Sequence, residues 1–236
     1  MISKYQSIHH NLANQELDWL PNDTKEWYAH NLKYNYQQLA DNGWINTHFK
    51  YAFNSHGFRC QEFTPDPSIM FLGCSFTFGI GLPVDVIWPE LTAQGLNMRC
   101  ANLGIGGSDL NTAFRLASGW IDRVRPKIVV LMIPSILRFE LITDRIIQIL
   151  PNDVHQQVRP FYATWCQNTY NTELNAEKSI LAIHMLCHLR HIKFLRYEWQ
   201  ELNHSEHRSA LARDLRHWGA IQHELFSQKV LADIGK

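Results

Sequence analysis

The sequence predicts an α/β fold built on a doubly wound parallel sheet, and three observations support this prediction. Short, mainly apolar segments suited to buried strands occur at residues 69–73, 98–103 and 127–133. Segments with helical spacing of apolar residues follow them. The connections between these segments are short. Alternating strands and helices of this kind place the strands parallel and the helices on the faces of the sheet.

The N-terminal region predicts a helix followed by a hairpin. Residues 1–22 lack a clear period, and Asn22-Asp23-Thr24 then offers an N-cap for a helix that stops at Asn42-Gly43. Residues 48–53 and 58–63 resemble two strands, and a turn sequence lies between them. We therefore expect these two segments to pair as a hairpin.

The helices between the predicted strands have recognisable starts. Asp85 can cap a helix that carries Ile87, Trp88, Leu91 and Leu96. After the second strand, Ser108 or Asp109 can cap a helix whose apolar stripe ends near Arg125-Pro126. The strand over residues 127–133 is almost entirely apolar and rich in β-branched residues, which suits a strand covered on both faces.

The pattern is looser over residues 134–171. Residues 146–150 have weak helical character, and residues 151–165 predict a long loop over one end of the domain. A helix over residues 172–191 and a strand over residues 192–197 follow. The last helix is predicted to start near His217 and to bury, at helical spacing, Trp218, Ile221, Leu225 and Ile234.

Composition limits the classes of function and the organisation of the chain. Lys+Arg and Asp+Glu are both 22, so no basic field indicates nucleic acid or an anionic membrane as a partner. The five cysteines are scattered without a CxxC pair, which is typical of reduced thiols. Because no signal peptide or membrane span is evident, we expect a cytoplasmic or otherwise soluble protein. We expect one main domain over residues 67–236, with residues 1–66 as an extension packed on it.

Three polar groups are predicted to converge at one edge of the sheet. Ser75 follows the first strand, the glycine-rich loop over residues 104–107 follows the second, and Asp214 and His217 follow the last. An Asp three residues before a His can hold the imidazole in one tautomer while the other ring nitrogen faces a serine. This combination of a hydroxyl, backbone donors and an Asp/His pair suits acyl transfer. Each feature taken alone fits an ordinary turn, loop or ion pair better than a functional role, and only the combination favours function.

Three short motifs in the same order resemble the blocks of the SGNH (GDSL-like) hydrolases. Residues 73–79, Gly-Cys-Ser-Phe-Thr-Phe-Gly, resemble the GDSxTxG block of that family. Residues 102–107, Asn-Leu-Gly-Ile-Gly-Gly, are similar to its NxGxxG block, and residues 214–217, Asp-Leu-Arg-His, match its DxxH block. The resemblance spans residues 50–236, and the lead-in at residues 54–59 resembles some bacterial and phage members.

The resemblance implies a three-layer α/β/α, flavodoxin-like domain that hydrolyses esters, with Ser75 as nucleophile, His217 as general base and acid, and Asp214 as the residue that orients it. It also implies that the backbone N–H groups of Ser75 and Gly107 form part of an oxyanion hole. The expected substrates are small esters, acetylated sugars or lipids. We expect no cofactor, no nucleic-acid partner and no membrane span.

Two positions depart from the family pattern. Cys74 stands where the family has Asp, which leaves the nucleophile itself in place. The GxND block is absent, so its asparagine, the third oxyanion donor, has no equivalent here; Ser135 or Arg138 is the candidate replacement. These departures keep a second hypothesis open, a binding or assembly protein that retains the fold after losing efficient catalysis.

Other histidines compete only weakly for a functional role. His184, His188 and His191 lie on one predicted helix face without an acidic third ligand, so we expect a solvated surface and no metal site. His204 and His207 are rivals of His217 for the general base, but they lie in a polar, loop-like stretch without an Asp partner at the same spacing.

Overall fold

The structure is a computed structural model, and it describes residues 6–151, 158–198 and 210–235. The strands of these ranges are Glu16–Leu17 (β1), Tyr51–Ala52 (β2), Ser68–Leu72 (β3), Arg99–Asn102 (β4), Ile128–Ile133 (β5), Phe139–Ile142 (β6), Ile146–Ile149 (β7) and Lys193–Glu198 (β8). The α-helices are Lys25–Tyr34 (α1), Tyr36–Asp41 (α2), Ser75–Phe78 (α3), Trp88–Gly95 (α4), Leu110–Val124 (α5), Arg159–Gln167 (α6), Thr169–His188 (α7) and Ala220–Ile234 (α8).

A four-stranded parallel sheet with the order β4-β3-β5-β8 forms the centre of the molecule. Met70 of β3 pairs with Ala101 on one side and with Val129 on the other. The predicted α/β fold is confirmed, because each of the predicted strands of the main domain lies in this sheet. The carboxyl ends of β3 and β4 therefore meet at one edge, where ligands bind in open α/β sheets.

Helices cover both faces of this sheet. Met70 and Leu72 point to one face, where they pack with the helices α5 and α7. Ile69 and Phe71 point to the other face, where they pack with Trp88 of α4 and with α8. All five residues of β3 are buried, as expected for a strand covered on both sides. The three layers of the expected α/β/α fold are thus present.

The predicted N-terminal helix starts where expected but is divided at Asn35 into α1 and α2, and the predicted hairpin after it is wrong. The Thr24 hydroxyl accepts a hydrogen bond from the Trp27 N–H at 3.0 Å, so Thr24 is the N-cap of α1. The strand β2 pairs antiparallel with β1, not with residues 58–63. The latter segment instead sends Phe58 and Arg59 into the interior, where each is 2% exposed. In a half-exposed strand, successive side chains point to opposite faces, and only one of the two is buried. Burial of both Phe58 and Arg59 is therefore incompatible with such a strand.

The predicted cap of α4 is also wrong. Asp85 lies in a short 3-10 turn over Val84–Val86, and Ile87 is the residue before the helix. The Trp88 N–H at the start of α4 donates to Nδ1 of the buried His223 of α8 at 2.9 Å. A side chain that is distant in sequence thus satisfies a helix amide that local capping usually satisfies.

Residues 134–171 differ most from the expectation. The segment with weak helical character forms β7, which pairs antiparallel with β6. Three isoleucines in this strand, at positions 146, 147 and 149, favour the extended backbone. The predicted loop over residues 151–165 contains the start of α6, and residues 152–157 lie outside the described ranges.

The C-terminal elements agree with the prediction except at their start. The helix α8 begins at Ala220, so His217 and Trp218 lie in the turn that leads into it. Trp218 is buried as expected, whereas the side chain of Ile221 is exposed. Phe226 and Val230 carry the buried face of α8 instead.

Residues of the N-terminal region contribute to two small cores near the sheet's carboxyl edge. Leu39 and Trp44 pack with Leu82, Ile87 and Ala212. A second cluster joins Leu20, Tyr51 and Phe53 to Phe78 and Ile80, which follow Ser75 along the chain. The boundary between residues 1–66 and 67–236 stays a prediction. Within the described residues, no helix is both long and apolar enough to span a membrane.

Candidate active site

Ser75 begins α3, directly after the short turn of residues 73–74 that joins this helix to the central strand β3. Gly73 has φ 152° in this turn, and a methyl group on it would lie 2.2 Å from Thr77 Oγ1 and 2.9 Å from the Met132 carbonyl oxygen. Ser75 is the first residue of α3 and is 5% exposed. Cys74, which replaces the family's Asp, is buried at 2% exposure. The turn therefore depends on glycine for its close approach to β5.

The glycine loop after β4 is bonded directly to this turn. The Gly73 carbonyl oxygen accepts hydrogen bonds from the Ile105 N–H and from the Ser108 hydroxyl, both at 2.9 Å. The Asn102 side chain bridges the two segments. Its Nδ2 donates to the Thr77 carbonyl oxygen, and its Oδ1 accepts from the Gly104 N–H, again both at 2.9 Å. These bonds hold the Ser75 turn and the loop that carries Gly107 in one arrangement.

Asp214 and His217 form a close pair in the turn before α8. The Asp214 Oδ2 lies 2.5 Å from the His217 Nδ1, and the carboxylate is completely buried. The other carboxylate oxygen, Oδ1, accepts from the backbone N–H groups of Arg216 and His217, each at 3.1 Å. Because a carboxylate is an acceptor, this contact favours the tautomer of the neutral ring in which the Nδ1 carries the proton and the Nε2 is an acceptor. This pair can orient a general base.

The Ser75 turn and the His217 ring approach each other through Phe76. The ring of Phe76, the residue after Ser75, contacts the His217 imidazole with 5.3 Å between the ring centroids. In the part of the chain that the structure describes, no hydrogen bond joins the Ser75 Oγ to the imidazole. Hydrogen bonds between a nucleophile and its base are often long in unliganded enzymes and tighten when substrate binds.

A direct backbone contact joins the loop after α3 to the Asp214 turn. The Arg213 N–H donates to the Gly81 carbonyl oxygen at 3.0 Å. Gly81 has φ 77°, and a methyl group on it would lie 2.8 Å from the Ala212 Cβ and 3.0 Å from the Arg213 nitrogen. The two loops can approach this closely because residue 81 has no side chain.

The candidate oxyanion donors lie in three different environments. Gly107 has φ 75°, a left-handed conformation that favours glycine. The Arg138 Nη1 donates to the carbonyl oxygen of Ser108 at 3.3 Å, so this guanidinium lies against the glycine loop. The Ser135 hydroxyl accepts only a long bond from the Leu137 N–H, at 3.4 Å. Of the two candidate replacements for the family's asparagine, Arg138 contacts the glycine loop.

A cavity of about 480 Å³ opens beside the glycine loop. Gly106 and Gly107 form part of its wall, and the rest comes from the N-terminal region, the loop after α3 and the β6–β7 hairpin. Gln148 of β7 faces Gly107 closely, since a methyl group on this glycine would lie 2.9 Å from its Oε1. Burial lowers the pKa of His9, another wall residue, to about 4, so His9 is neutral at pH 7.

Several residues at this edge of the sheet were not identified from the sequence. Gln148 belongs to a segment for which no strand was predicted. Asn102 is part of the NxGxxG motif, but the motif does not indicate which groups its side chain bonds to. Asp23, which belongs to the N-terminal region, forms a buried ion pair with Arg213, with 2.7 Å between Asp23 Oδ2 and Arg213 Nη2. No local pattern relates two residues so far apart along the chain.

The histidines that compete with His217 for a functional role are expected on a solvated helix face and in a polar, loop-like stretch. The ring of His184 stacks on Phe194, with 5.5 Å between the centroids. Among the described residues, no group of three or more His, Cys, Asp or Glu side chains could hold a metal ion. His204 and His207, the rival candidates for the general base, lie outside the described residues.

Two solved structures with similarity to this chain come from the G-D-S-L family that the three motifs resemble. A member of the lipolytic protein G-D-S-L family from Veillonella parvula has 13% sequence identity and a TM-score of 0.42, and the match covers 72% of this chain and 98% of that chain. A protein assigned to the same family from Desulfitobacterium hafniense has 13% identity and a TM-score of 0.36, with 70% and 98% covered. No family model matches the chain, and no curated protein matches it.

Proposed function

We propose that the protein is a serine hydrolase that acts on an ester or O-acetyl group. The observation that carries the proposal is the buried Asp214 carboxylate, which lies 2.5 Å from the His217 Nδ1 in a turn that contacts the nucleophile turn. A buried carboxylate that accepts from two backbone amides and from one imidazole is suited to fix a tautomer and to stabilise the imidazolium that forms during catalysis.

In the proposed reaction, the His217 Nε2 takes the Ser75 hydroxyl proton while the Ser75 Oγ bonds to the ester carbonyl carbon. The tetrahedral intermediate then collapses, the bond to the alcohol oxygen breaks, and this oxygen takes the proton from His217. Water hydrolyses the acyl-Ser75 ester by the same route, with His217 again accepting a proton and then returning it to Ser75. The Asp214 carboxylate orients the His217 ring in each step.

We propose that the negative oxygen of each intermediate is bound by the backbone N–H groups of Ser75 and Gly107. Such a donor typically contributes about 3 kcal/mol to the transition state. For the third donor we propose Arg138 ahead of Ser135, because the Arg138 guanidinium already contacts the glycine loop through the Ser108 carbonyl. Ser135 bonds instead within its own turn.

The test is hydrolysis of p-nitrophenyl acetate and butyrate by the purified protein and by Ser75→Ala. We expect Ser75→Ala to lower kcat by at least about 10³-fold, because removing the nucleophile of a triad removes most of its catalysis. Ser55→Ala is the matched control and should keep the wild-type rate, because Ser55 is exposed and its hydroxyl donates to the Glu62 carboxylate.

Covalent labelling separates this function from the second hypothesis. A fluorophosphonate should label the wild-type protein and the control at Ser75 but should not label Ser75→Ala. Equal ester hydrolysis by the wild type and Ser75→Ala, together with no labelling of either, would contradict the proposal. That outcome would favour the binding or assembly protein, which uses the fold without the nucleophile.

A further inference from the structure

The turn that carries Asp214 is held by side chains from the N-terminal region. The Trp27 Nε1 donates to the Asp214 carbonyl oxygen at 2.9 Å, and the Trp44 Nε1 donates to the Leu211 carbonyl oxygen at 2.7 Å. The exposed Arg216 guanidinium lies over the Trp27 ring at 3.9 Å from its centroid. Both ends of the turn are therefore fastened to a segment that lies outside the resemblance to known hydrolases.

A buried ion pair anchors the residue next to Asp214. Arg213 and Asp23 are each 1% exposed, and the Arg213 Nε and Nη2 both donate to the Asp23 carboxylate. The second carboxylate oxygen of Asp23 also accepts a hydrogen bond from the Tyr51 hydroxyl at 2.5 Å. Two aromatic rings, those of Trp19 and Phe49, lie about the guanidinium at 4.1 and 4.0 Å from its carbon.

This ion pair leaves the Asp214 carboxylate free for His217. Arg213 is the cation nearest to Asp214 along the chain, and its charge is neutralised by Asp23. Loss of the Asp23 charge would leave a buried, unpaired guanidinium one residue from the Asp214 carboxylate, with a strong tendency to seek a new anion. The same loss would release the Arg213 backbone, whose N–H bonds to Gly81 in the loop after the nucleophile helix.

We propose that the N-terminal region completes the active site, with Asp23 as a positioning residue that acts through Arg213 on the Asp214–His217 pair. Trp27 acts on the same pair through the Asp214 carbonyl. This inference rests on the proposed hydrolase function and extends it to residues that touch no substrate. A displacement of about 1 Å in a catalytic group can lower a rate by about 10²-fold, so small shifts of this turn have large effects.

The first test compares Asp23→Asn with Glu16→Gln in the full chain. Both changes remove one negative charge from the N-terminal region, but Glu16 pairs with Lys50 on the surface at 3.0 Å. We expect Asp23→Asn to lower kcat for p-nitrophenyl butyrate at least tenfold with KM within twofold of the wild type. Glu16→Gln should leave both constants unchanged. A folded Asp23→Asn with wild-type kcat would overturn the role of Asp23.

Trp27→Phe gives a milder change, because Trp27 is only half-buried and Phe keeps an aromatic ring under Arg216. The change removes the N–H that binds the Asp214 carbonyl. We expect a fall in kcat of about threefold to tenfold without a change in KM. If Asp23→Asn does not fold, a wild-type kcat in Trp27→Phe overturns the proposal, and the expected fall supports it.

A proton NMR signal provides a readout that does not depend on hydrolysis. The short Nδ1–H···Oδ2 bond should give a far-downfield resonance that disappears in His217→Ala. We expect this resonance to shift or broaden in Asp23→Asn and Trp27→Phe and to remain in Glu16→Gln. If the wild type shows the resonance but hydrolyses no ester and is not labelled at Ser75, the proposed function fails while the positioning role is still measurable. An unchanged resonance in both variants contradicts the positioning role itself.

Discussion

The two halves of the candidate site are held together by different kinds of interaction. The Ser75 turn and the glycine loop are joined by backbone groups and by Asn102, all within residues 73–108. The Asp214 turn is held by buried charges and indole N–H groups from residues far away in the sequence. The first half is therefore bonded within the α/β core, whereas the second is bonded to side chains of the N-terminal region.

The candidate catalytic residues are positioned in two different ways. Backbone bonds between neighbouring strand ends follow from the parallel sheet itself, since the carboxyl ends of β3 and β4 lie side by side. The Asp214 turn follows the last strand by many residues. Within the described residues, a bridge between Leu211 and Trp218 closes this turn, and the turn does not pair with the parallel sheet. The turn is bonded instead to Trp27, Trp44 and Asp23 of the N-terminal region.

The largest expected effect comes from separating the two halves at Gly81. Gly81→Ala places a methyl group against Ala212 and the Arg213 nitrogen, at a positive φ that L-residues avoid. We expect a loss of about 3 kcal/mol in the free energy of unfolding, from backbone strain and from overpacking together. Urea denaturation measures this loss, and ester hydrolysis should fall with it because the Arg213 turn moves.

Gly43→Ala is the matched control for that change. Gly43 has φ 73°, close to the value at Gly81, but a methyl group on it meets nothing within 4 Å. We expect it to cost about 1 kcal/mol from backbone strain alone. Equal losses in the two variants would show that the close approach of the two loops contributes nothing to stability.

A smaller effect is expected within the backbone-bonded half, at Asn102. Asn102→Ala leaves a buried carbonyl at Thr77 and a buried N–H at Gly104 without their partner. Unsatisfied groups of this kind cost about 1 to 3 kcal/mol, so we expect a loss of about 2 kcal/mol by urea denaturation. Asn102→Asp keeps the acceptor for Gly104 and removes the donor to Thr77. If both variants are as stable as the wild type, Asn102 is not the bridge that its contacts indicate.

The smallest effect concerns His223 of α8, whose ring lies 6.0 Å from the ring of Trp218 between centroids. Burial lowers the pKa of His223 to about 3, and its Nδ1 accepts from the Trp88 N–H, while the Trp88 Nε1 donates to the Phe76 carbonyl of the nucleophile turn. In the unfolded chain a histidine takes up a proton near pH 6.5. Between pH 6.5 and pH 3, His223 is protonated in the unfolded state but neutral in the folded state. The free energy of unfolding therefore falls as the pH falls through this range.

His223→Gln tests this linkage, because its amide oxygen can still accept from the Trp88 N–H. Between pH 6 and pH 5, we expect the wild type to lose about 1 kcal/mol more unfolding free energy than the variant. Urea denaturation at several pH values measures the difference. The same pH dependence in both proteins would contradict a neutral, buried His223.

The sequence alone predicts the parallel sheet, the helices that follow its first two strands and the position of Ser75 after a strand. Those features follow from local apolar patterns and from the rule that parallel strands end at one edge. The Asp214 and His217 pair was also predicted, because its spacing of three residues is a local property. The structure confirmed the fold class, and the catalytic roles of these residues remain our proposal.

The side chains that contact these residues are visible only in the tertiary structure. Three contacts could not be predicted, because many residues of similar character could have formed each of them. They are the pairing of β2 with β1, the β6–β7 hairpin opposite Gly107 and the Asp23–Arg213 ion pair. Such choices depend on the shape and polarity of the whole interior, because a buried charge or a short strand has several local alternatives of similar energy. The motif that contains Asp214 therefore predicts its partner His217 but not the N-terminal side chains that fix its position.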